Sequence, residues 1–126
     1  MEQLGPGPGN YLVSEANGTR SREVVTIAEG VTGLPGTVLG KVTATGKYVA
    51  VDPANGTGAG ETPDGSQIAV AVLFAEVDAT LADKAGVITA RDAEVEGAAL
   101  IWPAAITPTQ KTAALGQLAA VGIVAR

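Results

Sequence analysis

The sequence contains no cysteine and no histidine. That excludes disulfide scaffolds, Cys/His zinc sites, His- or Cys-ligated haem, and nucleophilic catalysis by Ser-His-Asp or Cys-His arrangements. Aromatic residues are nearly as scarce: Tyr11, Tyr48, Phe74 and Trp102 are the whole set. Lys and Arg number 8 against 13 Asp and Glu, a formal net charge of −5. A nucleic-acid partner calls for a basic stripe, often with stacking rings, and the chain offers neither. No uncharged stretch approaches the roughly 20 strongly apolar residues of a membrane span. The opening Met1-Glu2-Gln3-Leu4 has neither the basic start nor the apolar core of a signal peptide. These features predict an acidic, soluble, intracellularly made protein with no cofactor, no metal site, and no nucleic-acid, membrane or small-molecule partner.

What is present is a chain of 126 residues, 46 % hydrophobic, with a mean hydropathy of +0.27. It is one domain's worth of sequence and too apolar for a disordered polymer. Its apolar content is 23 Ala, 15 Val, 9 Leu and 6 Ile with few others, so the core is built from small and β-branched side chains. Ala contributes little apolar area, and a domain of this size buries only about two-thirds of its unfolded surface. Association with a partner would help such a chain.

Residues 1–22 differ from the rest. Gly5-Pro6-Gly7-Pro8-Gly9-Asn10 cannot hold helix or sheet. Beyond the apolar patch Tyr11-Leu12-Val13 the chain is polar and rich in turn formers through Arg22. This segment reads as a flexible N-terminal arm with a docking patch, or equally as a frayed terminus. A β-rich domain follows over residues 23–126. Runs at 23–28, 37–43 and 47–51 read as strands, the last two joined by the hairpin turn Ala44-Thr45-Gly46. Residues 52–66 form a Gly/Pro/Asn/Asp loop. In Gln67–Ala75 alternation places Ile68, Val70, Val72 and Phe74 on one face and smaller residues on the other, as for a strand buried on both sides. Further strands are expected at 87–91 and 94–101, with a helical turn or loop at 78–84. The one convincing helix begins at Pro108. Thr107 caps it, Gln110 completes a T-x-x-Q box, and Gly122 stops it before a closing strand, Ile123–Ala125.

Chemical motifs fail on inspection. A phosphate loop over Gly33–Lys41 would need Gly where Pro35 stands and Ser or Thr where Val42 stands. Gly56-Thr57-Gly58-Ala59-Gly60 lacks a strand-to-helix setting, and Asp52–Gly56 lacks calcium-loop ligands at Ala54 and Gly56. Asn17-Gly18-Thr19 and Asn55-Gly56-Thr57 are formal sequons that read better as turns. Asp92, Glu94 and Glu96 lie close, but Glu94 and Glu96 alternate onto one strand face and read as a solvated surface rather than a catalytic pair. Charge distribution is more informative. Residues 30–40, 65–75 and 97–110 carry none, and the bulky run Leu100-Ile101-Trp102-Pro103 falls in the last of these. Trp102 there is as much an interface candidate as a core one.

Gly36-Thr37-Val38-Leu39-Gly40-Lys41-Val42-Thr43, then Asp64-Gly65-Ser66 and Ala71-Val72-Leu73, resembles the lambda-type head decoration proteins of tailed bacteriophages. Leu100-Ile101-Trp102-Pro103, Gln110-Lys111 and Gly122-Ile123-Val124 follow in the family's order, and the resemblance covers residues 24–126. The resemblance implies a mainly β fold with one C-terminal α-helix, a small mixed roll or barrel-like domain, preceded by a flexible arm. It implies a non-enzymatic virion protein, made in the bacterial host cytoplasm, that forms a homotrimer on the outer surface of the expanded head at local threefold positions. The partner implied is the major capsid protein. Tyr11, Leu12, Val13 and Ser14 become candidates for the capsid-binding arm, and Leu100, Ile101, Trp102 and Pro103 for the trimer interface or core. The alternative from another class is a small β-barrel adaptor or carbohydrate-binding module, which would need rings grouped on an exposed face.

Overall fold

The computed structural model describes residues 8–126. Its elements, in order, are β1 (Leu12–Glu15), the single turn α1 (Gly18–Ser21), β2 (Arg22–Ile27), β3 (Thr32–Gly33), β4 (Val38–Lys41), β5 (Tyr48–Ala50), β6 (Ala71–Leu73), β7 (Val77–Asp78), β8 (Lys84–Thr89), β9 (Ala93–Val95), α2 (Pro108–Ala120) and β10 (Ile123–Ala125), with a 3-10 turn at Gly97–Ala99. The class expected from the sequence is the one observed: mostly β, with one long helix near the C-terminal end.

Five strands close a barrel in the order β2-β5-β4-β6-β8. The β4–β5 hairpin is antiparallel, with Leu39 opposite Ala50, and its turn uses Gly46 at φ 71°. Barrel closure rests on one parallel pair, Ile27 with Tyr48. β6 is buried on both faces, as expected, because it separates two cores. Ala71 and Leu73 face the barrel interior with Ile27, Leu39 and Ile88. Val72 faces a second core with Tyr11, Val38, Val95, Leu100, Leu118 and Ile123. The strand is shorter than the alternation predicts, and Ile68 emerges exposed. Gly40 lets the β5–β6 loop pack directly on β4. A Cβ there would lie 2.3 Å from the Ser66 carbonyl oxygen, so only glycine admits that backbone approach.

A second sheet, β1-β9-β10, holds α2 against the barrel. β1 runs antiparallel and β10 parallel to β9. The helix starts as the sequence predicts. Gln110 N–H donates to Thr107 Oγ1 at 3.1 Å, and Thr107 N–H donates to Gln110 Oε1 at 2.9 Å. Ala114 and Leu118 are its buried residues, and Gly122 at φ 88° turns the chain into β10. The expected strand over 94–101 is cut to β9, because Gly97-Ala98-Ala99 has no β-branched residue and folds into the 3-10 turn instead.

The arm drawn through residue 22 needs correction. The Met1–Gly7 part of that reading lies outside the described residues, but residues 8–22 belong to the fold. Tyr11 is fully buried in the second core, and its hydroxyl hydrogen-bonds the Thr89 hydroxyl. β1 is paired along β9, and Gly9 N–H donates to the Phe74 carbonyl at 2.9 Å. The turn formers of residues 16–21 make α1, whose buried Ser21 donates its hydroxyl to Glu15. In a chain with four rings, Tyr11 is too valuable to the core to stay outside it.

Candidate assembly surface

Two of the uncharged runs meet in space. Thr37 and Ile101 form a parallel bridge, with Ile101 N–H donating to the Gly36 carbonyl at 2.8 Å and Val38 N–H to the Ile101 carbonyl at 3.1 Å. The β3–β7 ribbon flanks this junction. Between them lies a concave pocket of about 480 Å³ whose apolar wall includes Leu34, Val77, Ile101, Trp102 and Pro103. Leu34 is 42 % exposed there. The pocket's only charged lining residues are Glu76 and Asp78. The Asp78 carboxylate is held below its ordinary range by the Thr80 hydroxyl and N–H, with Lys84 adding to the effect. An apolar hollow with an acidic rim has the make-up of a recognition surface.

The candidate residues divide between this pocket and the core. Leu100 is buried and packs with Val38 and Leu118. Ile101, Trp102 and Pro103 are half-buried and line the pocket. The Lys111 ammonium sits 5.8 Å from the Trp102 ring centroid, which braces the ring from the helix side. Tyr11 belongs to the same core as Leu100. Val13 is exposed at an irregularity in the β1–β9 register. The Ser14 hydroxyl donates to Glu94 at 2.7 Å. Leu34, Glu76, Val77 and Asp78 were not singled out by sequence. The uncharged run at 30–40 was the available signal, but only the fold shows that it lies beside 97–103.

The carboxylates at 92 and 94 are engaged rather than simply solvated. Asp92 takes Arg20 at 3.2 Å. Glu94 takes the Ser14 hydroxyl at 2.7 Å and Arg126 at 2.5 Å, which in that order hold it below its usual range. Arg22 pairs with Glu15, and Arg91 with Glu23. The rings offer no shared platform among the described residues. Tyr11 is buried, the Arg22 guanidinium lies 4.0 Å from the Phe74 centroid, and Lys41 lies 5.8 Å from that of Tyr48. Also among the described residues, no group of three or more His, Cys, Asp or Glu could hold a metal ion, and no helix is long and apolar enough to cross a membrane.

A closed barrel built largely from small and β-branched residues, with one helix packed on its second core and a mostly apolar, acid-rimmed concave face, falls in the class of small β-rich modules. The model of the bacteriophage lambda head decoration protein D family matches residues 2–123, and the chain belongs to that family. Membership makes it a phage head decoration protein, and the family is one of structural components of the virion capsid. A comparison with curated proteins gives no match.

Proposed function

We propose that the protein forms a homotrimer that binds the outer surface of the expanded phage head at local threefold positions. There it bridges neighbouring copies of the major capsid protein and resists the pressure of packaged DNA. The observation that carries this reading is the family match across residues 2–123. The exposed edge of β1 supports the capsid-docking role assigned to Tyr11–Ser14. With Tyr11 in the core, that role falls to Leu12, Val13 and Ser14. β1 is the outer strand of its sheet, so an extended segment of the capsid protein could add to it by backbone pairing. Ile101, Trp102 and Pro103 supply the subunit interface in this reading. Synthesis in the host cytoplasm belongs to it as well.

The deciding experiment is co-sedimentation of the purified protein with expanded heads that lack decoration, followed by heating of the decorated and bare heads. The expected result is saturable attachment and a higher temperature of DNA release. Heads that neither take up the protein nor gain stability would overturn the reading.

A further inference from the structure

Asn55 ties together the two limbs of the loop between β5 and β6, because its Oδ1 accepts the Asp64 N–H at 2.9 Å. Beside it Gly56 packs against Pro63, so closely that a Cβ at Gly56 would lie 2.3 Å from Pro63 Cα. Asn55 and Gly56 are the central residues of a β-turn. The Thr57 N–H donates to the Ala54 carbonyl at 3.2 Å, and Gly56 takes φ 75°, as a type II turn requires at that position. The peptide joining Asn55 to Gly56 makes no backbone hydrogen bond to any other described residue, through either its carbonyl or its N–H. It is free to flip about the line between the two Cα atoms, and glycine puts no Cβ in the way. The Asn55 side chain is meanwhile fixed and polarised. The Asp64 N–H already points at Oδ1, where negative charge gathers when Cγ is attacked. The other Asn-Gly pair is built differently. The Asn17 carbonyl accepts the Arg20 N–H at 2.7 Å and the Ser21 N–H at 3.1 Å, and Gly18 opens α1. Turning that peptide breaks both bonds.

We propose that Asn55 is a self-modification site, at which the folded chain converts its own asparagine to isoaspartate and aspartate. The Gly56 nitrogen attacks Asn55 Cγ, the bond from Cγ to Nδ2 breaks, and the side-chain nitrogen leaves as ammonia with the Gly56 amide proton. Water then opens the resulting succinimide at either carbonyl. Opening at Cγ leaves aspartate. Opening at the main-chain carbonyl leaves isoaspartate, with one more carbon in the backbone. Gly56 already packs on Pro63, so the longer backbone has no room and the limbs must part. The product also adds a negative charge to a loop that holds Asp52, Glu61 and Asp64.

The test ages the full chain in mildly alkaline buffer and follows the tryptic segments 1–20 and 48–84, each holding one Asn-Gly pair, by mass. Segment 48–84 is expected to gain a mass unit first, with isoaspartate detected by isoaspartate-specific methyl transfer. Segment 1–20 is expected to lag by about tenfold or more, because α1 must open before it reacts. Asn55→Gln, whose longer side chain closes a larger ring slowly, is expected to show no such gain at 48–84. Hydrogen exchange in the loop should quicken in aged wild type and stay unchanged in aged Asn55→Gln. A 48–84 segment that remains unmodified in the folded protein and gains mass only in urea would overturn the inference, as would a segment 1–20 that reacts first.

Discussion

Tyr11 shows what a single residue does in a chain so poor in rings. Its burial pushes the phenol up to about 12, against which the Thr89 hydrogen bond and Arg22 act only partly. The folded pKa lies above the unfolded one, so the stability it confers is whole below pH 10 and is lost as pH rises toward 12. Burial also raises Tyr48. Melting temperature is therefore expected to fall across that alkaline window. Tyr11→Phe should flatten the fall while lowering stability at neutral pH by about 1–3 kcal/mol, because the buried Thr89 hydroxyl loses its partner. Thermal melts of both proteins between pH 8 and 12 check this. Trp102→Ala removes a half-buried ring, so its cost should fall below the roughly 3–5 kcal/mol of a fully buried one. Where the ring also lies between subunits, the loss grows as protein is diluted. Melts at two concentrations a hundredfold apart separate the two contributions.

At the level of elements, α2 is the case in which local rules decide the outcome. Thr107→Ala removes one half of a reciprocal cap and should cost about 1 kcal/mol. Pro108→Ala should be nearly neutral, since the first helical position needs no N–H donor. Chemical denaturation of the two variants against wild type provides the comparison. This helix, the β4–β5 hairpin and the closing β10 were legible in the sequence because capping, turn chemistry and alternation act within a few residues. The N-terminal segment was not. Its turn-forming composition reads as an arm, yet Tyr11 finds its place in a core whose other members lie far along the chain, Val95, Leu100 and Leu118 more than eighty residues away. The pocket was half legible for the same reason. Trp102 stands out in any reading, whereas Leu34 joins it only through the pairing of Gly36 and Val38 with Ile101.

Across the molecule, four carboxylates are held by braced partners. Asp64 is lowered by the Ser66 hydroxyl and N–H, Asp83 by Lys47 and the Glu29 N–H, and Asp78 and Glu94 by the partners described above. Each folded pKa lies below its unfolded value. The stabilisation is thus present above the ordinary carboxylate range and is lost as pH falls through the lowered values. Melting temperature should accordingly be flat near neutrality and drop below about pH 4, where unperturbed carboxylates begin to take up protons. A pH series by calorimetry tests it. Deleting residues 1–22 should also act on the whole domain. It removes Tyr11 from the second core and β1 from β9, so the truncated chain is expected to melt well below wild type. An unchanged melt would mean that the segment contributes nothing to folding.

The shared strand β9 has one more consequence. Leu12 and Ala125 are both registered opposite Val95, one on either side. With neighbouring strands about 4.8 Å apart, these two positions lie roughly 10 Å from each other. The path from Leu12 to Ala125 is therefore almost a ring. A circular permutant that links Arg126 to Gly9 through several glycines and serines, and opens instead between Thr57 and Glu61, keeps every barrel pair and, with Tyr11 retained, both cores. It should fold and melt cooperatively near the wild-type temperature, as circular dichroism would show, while its new ends emerge from the long loop rather than beside β9.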